Sequence, residues 1–118
     1  MPGEPDAGRL IEIQADGNTA VVRITDEIDA DSAPLLAETL EQAALRAPAR
    51  TVVDLSAVPF ADSSILHALL TAQRRHEDLG GKLVVAGPFS PIVGRLFEVT
   101  GTASLFTLAD TFDQALEA

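Results

Sequence analysis

The sequence predicts an α/β domain on a mixed, mainly parallel β-sheet. Two observations carry this. Short β-branched runs alternate with amphipathic segments, the pattern left by parallel strands joined through right-handed crossovers. The chain has 118 residues, 47% of them hydrophobic, enough for one core and one domain.

The elements follow in order. Residues 1–8, rich in Pro, Gly and acids, read as a frayed tail, leaving 9–118 as the domain. Leu10-Ile11-Glu12-Ile13 reads as a strand, Asp16-Gly17-Asn18 as a turn, and Ala20-Val21-Val22-Arg23-Ile24-Thr25 as the second strand of a hairpin. An acidic loop follows, with Asp26, Glu27, Asp29 and Asp31. Asp31 or Ser32 caps a helix that tolerates Pro34 in its first turn and carries Leu35, Leu36, Leu40, Ala43 and Ala44 at helical spacing. Ala47-Pro48-Ala49 stops it.

Thr51-Val52-Val53-Asp54-Leu55 is apolar enough for a central strand. After a loop over 56–62, Asp62 caps a second helix whose first positions are Ser63 and Ser64, with an apolar stripe of Ile65, Leu66, Leu69 and Leu70. Gly80-Gly81 ends that helix in a left-handed cap. Lys82–Ala86 is the fourth strand. Ser90 caps a third helix, with Pro91 first and Gly101 beyond its end. Leu105–Leu108 is an edge strand, and Asp110 or Thr111 caps a last helix with Phe112, Ala115 and Leu116. The order is ββαβαβαβα.

Composition excludes several functions. The chain has no cysteine, hence no disulfide, thiolate chemistry or cysteine-ligated metal. Eight Lys+Arg against 18 Asp+Glu give a net charge of −10, contrary to what nucleic acid or an anionic membrane needs. No apolar run approaches the roughly 20 residues of a spanning helix, so membrane insertion is not expected. The opening MPGEPDAG lacks a basic region followed by an apolar stretch, so a cytoplasmic location is expected.

The informative segment is Phe60-Ala61-Asp62-Ser63-Ser64-Ile65-Leu66, between a core strand and an amphipathic helix. Ligands and partners meet α/β sheets at the carboxyl ends of the strands. A phosphate on Ser63 would sit beside free backbone N–H groups and the positive end of a helix dipole. From these residues alone a plain helix cap is the better reading. Ser63 and His67 share a helix face, but no orienting acid, oxyanion hole or Gly-x-Ser-x-Gly turn makes them a hydrolase site. His67 and His76 lack metal-ligand spacing, and the acidic loop lacks the calcium-loop pattern, so no metal is expected. That loop reads either as a solvated turn or as a surface for a basic partner. Gly80-Gly81-Lys82 follows a helix and is no phosphate loop, so no cofactor is expected.

Four blocks taken together are specific: Ile24-Thr25-Asp26-Glu27-Ile28-Asp29, Val52-Val53-Asp54-Leu55-Ser56, Phe60-Ala61-Asp62-Ser63-Ser64 and Gly80-Gly81-Lys82-Leu83-Val84. With Ser90–Phe97 and Thr100-Gly101, they resemble the anti-sigma factor antagonists of the STAS family from about Leu10 to Phe106. The resemblance implies a curved sheet with helices mainly on one side, and no catalytic activity of its own. It implies binding to an anti-sigma factor that is also a serine kinase, release of the sigma factor, phosphorylation at Ser63 and reversal by a serine phosphatase. It places Glu27, Asp29, Asp62, Ser63, Ser64 and Ile65 at the partner surface. The sequence departs from the family at Ile65 and Asp26, both usually Gly. A STAS subunit of a transporter or lipid-transport complex is the alternative, and a nucleotide sensor a third reading that no phosphate-cradling motif supports.

Overall fold

The computed structural model describes residues 11–118. The tail over 1–8 and the strand residue Leu10 lie outside the described residues. The elements are β1 (Ile11–Asp16), β2 (Thr19–Ile24), α1 (Ala33–Leu45), β3 (Arg50–Asp54), α2 (Ser64–Asp78), β4 (Lys82–Ala86), α3 (Pro91–Val99), a 3₁₀ turn (Ala103–Leu105), β5 (Thr107–Ala109) and α4 (Phe112–Glu117). The expected order holds.

The sheet runs β1-β2-β3-β4-β5, with β1 antiparallel to β2 and all other pairs parallel. Alternation along the strands divides its two faces. Val22, Val53 and Val85 lie side by side in register and face α1, α2 and α3. Val52, Val84, Ala86 and Ala109 face α4. Helices therefore lie mainly on one side, as expected. Phe97 of α3 closes the larger core, its ring meeting Phe89 and Phe106 edge-on at 5.6 and 5.9 Å.

Three expectations are corrected. Leu35, assigned to the apolar stripe of α1, is 46% exposed, while Leu36 and Leu40 are fully buried. The stripe is narrower than the run of leucines. The last strand begins at Thr107, because Ala103–Leu105 wind into a 3₁₀ turn. Asp62 lies one residue before the N-cap of α2, which is Ser63. Ser32 takes the N-cap position of α1 without a side-chain capping bond, whereas the caps of α3 and α4 form as expected. Ser90 Oγ accepts from the Val93 N–H, and Thr111 Oγ1 from the Gln114 N–H. At the end of α1, Ala47 takes a positive φ of 51° before Pro48 breaks the helix.

Two polar contacts tie the layers together. On the α4 face, Arg23 and Asp54 stand opposite each other on neighbouring strands, with Nε 3.1 Å from Oδ2. The Arg23 guanidinium lies 5.6 Å from the Phe112 ring centroid, joining β2, β3 and α4. Burial pushes the Asp54 carboxyl up. Hydrogen bonds from Ser56 and the Arg23 guanidinium outweigh it and hold the carboxyl below its ordinary value. On the opposite face, buried His76 meets Thr51 Oγ1 through Nε2 at 2.8 Å and the Ala72 carbonyl through Nδ1 at 2.7 Å. A carbonyl only accepts, so Nδ1 carries a proton and donates it to Ala72, while Nε2 and the Thr51 hydroxyl share the second hydrogen bond.

Two tests follow from this packing. A Cβ at Gly81 would collide with the Pro48 carbonyl oxygen, so Gly81→Ala should cost about 1–3 kcal/mol in urea unfolding. Asp54→Asn should cost about 1–3 kcal/mol near neutral pH, the range for a lost charge-assisted hydrogen bond. Because the folded-state pKa is lowered, that contribution is present above the unfolded value and lost as pH falls through the folded one. The gap in urea midpoint between wild type and Asp54→Asn should therefore narrow between about pH 5 and pH 2.

Candidate functional site: the loop face at the strand ends

The parallel strands β2, β3 and β4 deliver three loops to one edge of the sheet: 25–32, 55–63 and 87–90. A single apolar residue joins the first two. Ile28 is fully buried among exposed acids. Its N–H donates to the Phe60 carbonyl at 3.0 Å, and its carbonyl accepts from the Asp62 N–H at 3.1 Å. The result is an isolated parallel bridge between Ile28 and Ala61. The third loop is held by Ser90, whose Oγ donates to the Pro59 carbonyl at 3.0 Å. Backbone hydrogen bonds thus fix the acidic loop beside the start of α2.

The acids divide into two groups. Asp29 is turned inward to its own loop. Its Oδ1 accepts from the N–H groups of Asp31 and Ser32 at 3.0 and 3.1 Å, while Ser32 Oγ accepts from the Asp29 N–H at 3.0 Å. This reciprocal pair starts α1. Asp26, Glu27 and Asp31 are exposed and, with Asp29, Ser32 and Leu35, line a shallow acidic depression.

At the start of α2 the two serines differ. Asp62 Oδ1 accepts from the Ser64 N–H at 2.9 Å and from the Ser64 hydroxyl. Those bonds, the side-chain one foremost, hold the Asp62 carboxyl below its ordinary value, with help from the Ala30 backbone across the loop. Asp62 therefore does the capping work expected of it, one residue upstream of the helix boundary. Ser64 is half-buried and committed. Ser63 is exposed and its side chain makes no capping hydrogen bond.

Of the expected partner-surface residues, Glu27, Asp29, Asp62, Ser63 and Ser64 are brought together here. Ile65 is not among them. It is fully buried, one turn before Leu69 on the inner stripe of α2. A branched side chain at that position is spent on the core and presents nothing to a partner. The pinning residue Ile28 was missed from the sequence as a site element. Its signal was there, since it is the one branched apolar side chain among four acids in Asp26–Asp31. A groove of about 330 Å³ opens beside the serines between α1 and α2, and exposed His67 is part of its lining.

The fold and this face define a STAS domain. A family model described as "Mlab, STAS domain" matches residues 11–108, and the chain belongs to that family. Among solved structures it is similar to an anti-sigma factor antagonist from Mycobacterium paratuberculosis, with 29% identity, a TM-score of 0.82 and coverage of 91% of this chain and 90% of that one. It shares its fold with the anti-sigma factor antagonist SpoIIAA in its unphosphorylated form, at 21% identity and a TM-score of 0.75, covering 91% and 93% of the two chains. It also shares it with a sulfate transporter family protein from Wolinella succinogenes, at 20% identity and a TM-score of 0.73, covering 88% and 86%. No helix among the described residues is long and apolar enough to cross a membrane.

The different commitments of the serines are testable by thermal unfolding. Asp62→Ala should lower the melting temperature, because the Ser64 N–H loses its acceptor. Ser63→Ala, which removes no capping bond, should leave it nearly unchanged.

Proposed function

We propose that the protein is an anti-sigma factor antagonist, switched by phosphorylation of Ser63. One observation carries the choice of residue: the Ser63 hydroxyl is exposed and uncommitted, while its neighbour's is bound to Asp62. Similarity to the Mycobacterium paratuberculosis antagonist supports the class. On this reading the partner is an anti-sigma factor with serine kinase activity, and its capture frees the sigma factor. The kinase moves the γ-phosphoryl group of ATP to Ser63 Oγ, and a serine phosphatase hydrolyses the ester. The contact face centres on Ser63, Asp62, Ser64 and the acidic loop with Glu27 and Asp29. The protein itself acts by binding, in the cytoplasm.

The physical logic is charge burial. A phosphate adds about −1.5 to −2 charge and three acceptor oxygens. In free protein it is solvated beside the start of α2. In a packed interface built for a neutral hydroxyl it is stripped of water without a partner, which costs about 3–5 kcal/mol. That is on the order of a hundredfold to several thousandfold in affinity. Release needs no refolding, and a phosphoprotein with a rearranged sheet would contradict it.

A second reading has its own support. Similarity in fold to a sulfate transporter family protein supports the alternative, an assembly subunit of a transporter or lipid-transport complex. One experiment separates the two. Wild type, Ser63→Ala and Ser63→Asp serve as baits in host lysate, with capture read by mass spectrometry. Under the switch reading, a small ATP-binding kinase is held by the first two baits and lost with Ser63→Asp. With ATP, the captured kinase should then phosphorylate wild type and Ser64→Ala but not Ser63→Ala. Retention of the same membrane-complex subunits by all three baits would replace the switch with the assembly reading.

A further inference from the structure

His67 is left without a part in the reading above. It lies four residues after Ser63 and is exposed. Ser63 has φ −65° and ψ −13°, in the right-handed region, and its carbonyl accepts from the Leu66 N–H at 3.0 Å, so the chain is already winding into α2 at this position. Side chains four apart on a helix surface are neighbours, with Cβ atoms about 5–6 Å apart. As a nucleophile and its base the pair lacks an orienting acid and an oxyanion hole. Their spacing suits a different pairing.

We propose that His67 is the built-in counter-charge for a phosphate on Ser63, its imidazolium donating a hydrogen bond to the phosphate oxygens across one turn of α2. This rests on the reading of Ser63 as the phosphorylation site. The surroundings give the pairing a purpose. The exposed acids Asp26, Glu27 and Asp31 lie on the loop pinned beside Ser63, and Asp62 is adjacent in sequence. A dianion arriving there meets like charge, which His67 offsets from the groove side. The residues that line the groove with His67 are uncharged: Ala33, Pro34 and Ala37 on α1, and Ser64, Ala68 and Thr71 on its own helix. Farther along the same two helices, Glu41 is occupied by Arg75 at 3.0 Å. Asp62 is occupied by Ser64. A histidine carries positive charge over part of the physiological pH range, so it matches a phosphoserine whose second ionisation lies near pH 6. The phosphorylated face is then partly neutralised by its own helix, and any partner must break that pair as well as desolvate the ester.

The test uses protein with phosphoserine placed at position 63 during translation, so no kinase is required. The second ionisation of the phosphate is followed by ³¹P NMR in wild type, His67→Gln and Arg74→Gln. Arg74 is an exposed cation farther along α2 and reports the general field. The pairing predicts a midpoint in His67→Gln about half a pH unit above wild type, the size expected of a doubly charged partner at this spacing, and little change in Arg74→Gln. Identical midpoints in wild type and His67→Gln would overturn it, as would equal shifts in the two variants. The two readings fail separately. A failed pairing leaves Ser63 as a kinase target, whereas a kinase that ignores Ser63 removes the phosphate the pairing serves without altering the titration of phosphoserine placed there.

Discussion

The backbone bridge between Ile28 and Ala61 is the constraint on which the loop face depends. Loops at the ends of parallel strands have no ladder to continue, and their polar backbone groups would ordinarily turn to water. Here two hydrogen bonds extend sheet-like pairing beyond β2 and β3, and the buried Ile28 side chain plugs the gap beneath them. The bridge consumes the Asp62 N–H and sets where Asp62 sits. Asp62 in turn fixes Ser64 and leaves Ser63 facing solvent. An apolar residue in the acidic loop thus determines the presentation of a hydroxyl on the next helix.

The acids of this face are not interchangeable. Asp29 and Asp62 are structural, each accepting hydrogen bonds that begin a helix. Asp26, Glu27 and Asp31 are exposed, and of these Asp26 also accepts from the Glu27 N–H within the loop, at 2.7 Å. Charge and shape are therefore separable here. A partner can read the outward acids while the inward ones keep the loops in place. On the far face of the sheet, Arg23 and Asp54 do the corresponding work for α4, their charges satisfied by each other and by the Phe112 ring.

Much of this was legible in the residues because local and long-range preferences agree. The β-branched runs became strands, the Ser90 and Thr111 caps formed, and the alternation of elements gave the parallel sheet. What was not legible depends on depth. Leu35 follows the helical pattern, yet the adjacent Leu36 takes the buried position, and periodicity alone does not say which of two neighbouring leucines faces inward. Ile65 resembled a surface substitution because its place in a motif was visible and its direction was not. Ile28 looked like one more residue of a charged loop. Its role emerges only when β2 and β3 are laid side by side, a contact spanning more than 30 residues of sequence. The Thr51–His76 bond was hidden for the same reason, since it joins a strand to the far end of the following helix.

That last bond has a consequence for timing. It fastens the later half of α2 to β3 inside the core, while Asp62 fastens the first turn. A helix held at both ends has little freedom to convert a new charge into a new shape. A modification at its start would be stored as chemistry alone. On the proposed switch reading, the lifetime of such a state is that of an ester bond, set by the enzymes that would make and cut it. No barrier between alternative folds enters, so the signal can be held for long periods or erased within one catalytic turnover by the same unmoving scaffold.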